Sequence, residues 1–263
     1  ARQAAYLRYL EDGGVEGILV LGTSGEFPSF STDERKAILE TCMVNRGNLS
    51  VMAHIGSPSL PDTFELLEHA ASTGAESVLA VPPFFYRNPA MEGLATYYEA
   101  ILHASPLPVH LYHIPRLSGA PISVELIRRL AEFPNLRGLK DSHNTPQDHA
   151  ALVKEFPDLD IYAGFAECLT ANLTSGGAGC ITGNGSVLRR QTRAVLDAFR
   201  SGSGLEAAQE ALDEADAVLG DLDWVPGWKY AVSLSGIPES PCRPPLVGLK
   251  DAQKAEVTER WRA

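Results

Sequence analysis

The chain has 263 residues, 44% of them hydrophobic, which is enough for a substantial core and too apolar for a disordered chain. Its formal net charge is −11 with no basic stripe, so neither nucleic acid nor a membrane surface is an expected partner. The four cysteines lack C-x-x-C spacing and the seven histidines form no H-E-x-x-H pattern, so a reduced, cytoplasmic protein without metal or cofactor is expected.

No apolar run reaches the ~18 residues of a membrane helix, and no leader peptide is expected. The chain opens in a helical stretch, Ala4–Leu10, and Gly17–Leu21 then reads as a short buried strand. Gly22-Thr-Ser-Gly-Glu26 follows it. Its glycines permit a tight turn, and Thr23 and Ser24 set hydroxyls beside free amides, which suits a carboxylate; a plain glycine-rich turn is the alternative. Ser31-Thr-Asp-Glu34 is a capping box that opens a helix. Ser50–His54 and Ser77–Val81 are the next strands. Leu60, Phe64, Leu67 and Ala71 mark one intervening helix face, and Met91, Leu94, Tyr98 and Ile101 the next.

Pro108–Tyr112 is the fourth strand. A phenol at its end can relay protons, or Tyr112 is a core tyrosine with a satisfied hydroxyl. After a helix at Val124–Phe133 comes the fifth strand, Leu136–Lys140. A lysine there loses water, which favours the neutral amine that attacks a ketone to give an imine; pairing with Asp141 at the rim is the alternative. The sixth strand is Asp160–Ala163. Glu167 beyond it is either functional or an acid in a helix's first turn. The seventh, Gly179–Thr182, lies within the glycine-rich stretch 176–185, and a helix at Leu188–Phe199 closes the alternation. Three further helices, Leu205–Leu219, Trp224–Leu234 and Asp251–Trp261, form an appendix.

Strands alternating with helices predict an α/β fold: a (β/α)8 TIM barrel over residues 1–202, with a helical extension, 203–263, packed on it. Only seven strand–helix units are visible, so the first strand is expected upstream of Ala1. An open doubly wound sheet is the rival, and no G-x-G-x-x-G supports it.

Taken in order, GTSGE (22–26), YHIP (112–115), GLKD (138–141) and GGAGCITGNG (176–185) resemble the motifs of the dihydrodipicolinate synthase / N-acetylneuraminate lyase family, the pyruvate-dependent class I aldolases. The likeness covers about residues 6–250, including segments around Lys229 and Arg243. It implies a homotetrameric lyase in which Lys140 forms a Schiff base with pyruvate or a related 2-oxo acid. Thr23 and Ser24 would hold that acid's carboxylate with their amides, Tyr112 would move protons, and Gly22, Ile181, Glu167 and Arg116 would be further substrate-binding residues. No cofactor is implied beyond the lysine imine. The expected activity is making or breaking a C–C bond between pyruvate and an aldehyde, on a 2-oxo-3-deoxy sugar acid or similar. A condensing synthase or a 2-oxo acid dehydratase on the same imine is one alternative, and a non-catalytic 2-oxo acid binder is another.

The departures from the family pattern are specific. Leu117 stands where the synthase branch has arginine, and Arg116 precedes it. Tyr112-x-x-Pro-x-Leu-Ser-Gly119 looks like the neuraminate lyase branch, but Ala166-Glu167 replaces its Asp-Glu. His113 replaces an asparagine, and Phe85, followed by Tyr86, aligns with the tyrosine lent by a neighbouring subunit. His54, His113 and His143 are candidate substitutes for lost acid–base function, against a structural role for each.

Overall fold

The computed structural model describes residues 2–220 and 224–262, in which seven parallel strands pair in chain order into one curled sheet. Helix α1 (Arg2–Asp12) leads to β1 (Gly17–Val20), α2 (Thr32–Asn45), β2 (Ser50–His54), α3 (Leu60–Thr73), β3 (Ser77–Ala80), α4 (Met91–Ala104) and β4 (Val109–His113). A single turn, α5 (Pro115–Ser118), precedes α6 (Val124–Leu130), β5 (Leu136–Asp141), α7 (Pro146–Glu155), β6 (Asp160–Ala163), α8 (Leu169–Thr174), β7 (Gly179–Cys180) and α9 (Arg189–Ser201). The extension is α10 (Leu205–Gly220), α11 (Trp224–Ser233) and α12 (Asp251–Arg262). Ala1, Ala263 and positions 221–223 of the expected extension lie outside the described residues. No helix is long and apolar enough to cross a membrane among the described residues.

All seven expected strands are present, and their ends shift for local reasons. β1 stops at Val20, one residue early, because Leu21 takes a left-handed backbone (φ 61°) that breaks the ladder. β7 is two residues long and begins at Gly179 (φ 117°), not the four residues the sequence suggests. β1 and β7 each keep one edge without a strand partner among the described residues.

Helix α7 was not foreseen. Its apolar content is low: the residues it buries are His149, Leu152 and Val153. Its start is nevertheless written in Thr145-Pro146-Gln147-Asp148. The Thr145 hydroxyl accepts the Asp148 N–H at 3.3 Å, and the proline occupies the first turn, where a missing N–H costs nothing.

Strand register sets the chemistry. Tyr112, Lys140 and Tyr162 are level with one another across β4, β5 and β6 and line the concave side. By the two-residue period, Leu111, Leu139 and Ile161 point the other way, toward the helices, and each is fully buried. Each such side chain contributes about 1.5–3 kcal/mol by leaving water. The extension shares this core, since Leu212, Leu219, Ala231, Val232 and Val257 join the same apolar cluster as the strands. Gln209 of α10 also accepts from the Thr170 N–H (3.1 Å) and hydroxyl (2.7 Å) of α8.

Candidate active site

A cavity of about 1630 Å³ runs along the concave side of the sheet. Among the predicted site residues, Gly22, Thr23, Ser24, Tyr112, Arg116, Lys140 and Ile181 all line it. Glu167 does not. It lies exposed on a short 3-10 turn (Ala166–Cys168) after β6, outside the cavity lining. The turn presents Ala166 and Cys168 to the core and leaves Glu167 facing away.

At the centre, Lys140 is 6% exposed and its Nζ donates to the Tyr112 hydroxyl at 3.1 Å. That hydroxyl also bonds Thr23 Oγ1 at 3.0 Å. The lysine Nζ lies 4.3 Å from the centre of the Tyr112 ring. Burial pushes the Tyr112 phenol up. The charge of Lys140 and the bonds from Thr23, Lys140 and Ser142 more than offset this, so the phenol lies below its ordinary value. The phenol is therefore primed to give up a proton, as a relay group requires.

Thr23 and Ser24 open a single 3-10 turn, Thr23–Gly25, at the end of β1. The turn's own backbone bonds run from Gly25 N–H to Gly22 O (3.0 Å) and from Glu26 N–H to Thr23 O (3.0 Å). The Thr23 and Ser24 amides take no backbone acceptor among the described residues, so they are available to an anion. Ile181 follows β7 and is tied to β6 by its N–H to Ala163 O (2.9 Å). Arg116 is exposed on α5 at the rim. Gly164 keeps the wall thin, because a Cβ there would collide with Ser142 Oγ and lie 2.6 Å from Asp141 O.

The histidines have structural surroundings. His113 and Asp141 are level in register and sit one residue past Tyr112 and Lys140, so they face the helix layer rather than the cavity. Asp141 Oδ1 accepts His113 Nδ1 (3.2 Å), and Oδ2 accepts His149 Nδ1 of α7 (2.8 Å). Burial raises the Asp141 carboxyl, but the bonds and charges of His113 and His149 outweigh it and hold it well below the usual carboxylate range. The other nitrogen of His149 meets Asn172 Nδ2 at 2.9 Å, and Asn172 in turn donates to Ile161 O (2.7 Å) and accepts from Gly179 N–H (2.8 Å). The alternative pairing of Lys140 with Asp141 is not realised, because the two side chains leave the strand on opposite faces.

His54 is buried outside the cavity lining, with Arg35 on its Nδ1 (3.1 Å); burial first, then the Arg35 and Lys140 charges, hold it well below its ordinary value. His143 is exposed, its ring edge-on to His113 at 5.2 Å. Cys180 lines the cavity, and burial pushes its thiol up to about 12, which leaves it protonated and a poor nucleophile. Phe85 is 85% exposed with φ 94°, a backbone that strains a bulky residue, and its ring meets Tyr86 at 5.4 Å. No group of three or more His, Cys, Asp or Glu among the described residues is arranged to hold a metal.

His149 and Asn172 have no sequence signal beyond the Thr145-Pro146 helix start; Glu26 is visible within GTSGE, but its pairing with Lys229 and the place of Trp228 have no local signal.

Comparison with known proteins gives the family. The model of the dihydrodipicolinate synthetase family matches residues 2–263. An uncharacterized DapA-like lyase of Chloroflexus aurantiacus is 37% identical over 95% of this chain and 85% of its own. The N-acetylneuraminate lyase of Xenopus tropicalis is 34% identical over 92% of this chain and 82% of its own. Among solved structures, a prophage protein of the dihydrodipicolinic acid synthase family from Escherichia coli K12, in complex with pyruvate, superposes with a TM-score of 0.92 at 27% identity, covering 98% of this chain and 90% of that one. The chain belongs to the dihydrodipicolinate synthetase family and is a lyase.

Proposed function

We propose that the chain is a class I aldolase that cleaves or forms the C–C bond between pyruvate and an aldehyde through an imine on Lys140. The observation that carries this reading is the buried Lys140–Tyr112–Thr23 chain at 3.1 and 3.0 Å.

The Lys140 amine attacks the C2 carbonyl of a 2-oxo acid whose carboxylate rests on the Thr23 and Ser24 amides and hydroxyls. Water leaves, and the protonated imine draws electrons from C3. In cleavage the C4 hydroxyl gives its proton to Tyr112, the C3–C4 bond breaks, and the aldehyde departs. The resulting enamine is protonated at C3, and water hydrolyses the imine to release pyruvate. Synthesis is the reverse. The substrate class is a 2-oxo-3-deoxy sugar acid. Support comes from the exposed Arg116 at the rim of the cavity, a cation suited to the distal polar end of such an acid, and from the neuraminate lyase relative. The free thiols Cys42, Cys168 and Cys180 are consistent with a reducing, cytoplasmic setting, and a homotetramer is proposed with it.

The test is reduction with borohydride in the presence of pyruvate, followed by peptide mass spectrometry. The expected product is a single adduct on Lys140. No adduct, or one confined to Lys229 or Lys250, sinks the assignment.

A further inference from the structure

The turn that carries Thr23 and Ser24 ends at Glu26, a non-glycine residue in the left-handed region (φ 61°, ψ 35°). A glycine takes that backbone without strain and a glutamate does not. The side chain shows why a glutamate is there. Glu26 is 3% exposed, and its carboxylate runs into the helical extension. One oxygen is paired with Lys229 Nζ of α11, and the other accepts the backbone N–H of Arg243 at 2.7 Å. Lys229 donates also to Pro241 O at 3.0 Å, so lysine and segment are fixed together. The Arg243 guanidinium grips both carboxylate oxygens of Glu34 (2.7 and 3.0 Å) and lies 4.2 Å over the Phe30 ring. The extension thus holds the chain at three points just beyond the turn: Glu26, Phe30 and Glu34.

The residue before Lys229 meets the turn itself. Gly183 has no room for a Cβ, because Ser24 Oγ and the Trp228 ring both occupy that space, with Ser24 Cβ at 3.1 Å. Trp228 lines the cavity, and Trp224, one helical turn earlier, lies edge-on to it at 6.2 Å and lines the same cavity. One helix therefore touches the proposed carboxylate site from two sides, by a salt bridge under the turn and by an indole beside Ser24.

We propose that α11 sets the affinity of the substrate carboxylate site: Glu26 and Lys229 are positioning residues that hold the Thr23–Ser24 turn, and Trp228 forms its outer wall. The barrel supplies the amine and the phenol, and the extension fixes the anion cradle in front of them. The inference rests on the imine reading above.

The test compares wild type with Glu26→Gln and Lys229→Met in borohydride trapping, titrating pyruvate. Both variants are expected to need at least tenfold more pyruvate for half-maximal trapping and to reach the wild-type plateau when saturated. Lys229→Arg, which restores a cation, is expected to recover most of that loss. A half-saturation within twofold of wild type, with only the melting temperature lowered, overturns the proposal and leaves a structural clamp. Hydrogen exchange on the wild type covers the case of variants that do not fold: pyruvate should protect residues 22–26 and 224–233 together. Protection of the first segment without the second also overturns it. A wild type that traps no pyruvate on Lys140 instead defeats the imine reading itself, so the two failures are distinguishable.

Discussion

Replacing Tyr112 by phenylalanine removes one oxygen atom and leaves the ring, which is 2% exposed and packed against the Lys140 side chain. That oxygen is the junction between Lys140 Nζ (3.1 Å) and Thr23 Oγ1 (3.0 Å). Its loss costs these two hydrogen bonds at about 1 kcal/mol each, besides the Ser142 contact, in a site that opens to the cavity and lets water compensate in part. The fold should therefore lose only about 1–2 kcal/mol. Turnover should fall far more, because general acid–base help is worth about 10²–10⁴-fold, or roughly 2.7–5.4 kcal/mol of barrier. The assay is release of pyruvate from a 2-oxo-3-deoxy acid, coupled to a dehydrogenase, run beside borohydride trapping of the imine. Turnover should drop at least a hundredfold while the trapped fraction at saturating pyruvate changes less than fivefold. The pH profile gives a second reading. In cleavage Tyr112 accepts a proton, so the phenolate is the working form. Because the phenol is lowered, turnover should rise with pH along a limb lying below the ordinary phenol value of about 10, and that rise should vanish in the variant. Equal turnover in the two proteins refutes the relay, and equal losses in turnover and trapping place Tyr112 in imine formation instead.

Asp141→Asn should cost about 3 kcal/mol in urea unfolding at pH 7, because a buried carboxylate bonded by two imidazoles and the His143 N–H gives up a charge-assisted bond and leaves an imidazole N–H unmet. The carboxyl is lowered in the folded state, so its contribution is present above the unfolded value of about 4 and fades as pH falls below it; the gap between the two proteins should narrow there, and a gap that widens in acid refutes the network. Glu167→Ala should leave turnover within twofold and stability within about 0.5 kcal/mol, since the side chain is exposed and outside the cavity; a tenfold loss of turnover returns Glu167 to the site.

What could be read from the sequence depends on how far the chemistry spreads along the chain. GTSGE, YHIP and GLKD are local signals, each at the end of an apolar run, and the parallel register brings Tyr112 level with Lys140 without further information. The histidine side chains that bond Asp141 are eight and twenty-eight residues away in opposite directions. His149 became visible only once α7 fixed its buried face, and that helix carries too few apolar residues to announce a period. Glu26 and Lys229 are 203 residues apart, and no spacing rule connects them. Glu167 failed for a different reason. Its role came from resemblance at a position where this chain has lost the preceding acid, and the short turn there carries it outside the cavity.

The adjacency of Lys140 and Asp141 shows how one strand serves two purposes. Period-two alternation forces neighbours onto opposite faces, so the acid next to the lysine in sequence is not its counterion. Asp141 spends its charge on two histidines in the helix layer and ties β5 to β4 and α7. Lys140 meets a hydroxyl instead of a carboxylate. An ion pair would hold the proton on the nitrogen, and a protonated amine cannot attack a carbonyl. In the proposed mechanism the phenol, lowered from its ordinary value, ionises more readily, and the phenolate beside Thr23 takes that proton. The structural acid and the amine proposed to form the imine are one peptide bond apart, and the sheet between them keeps the two side chains separate.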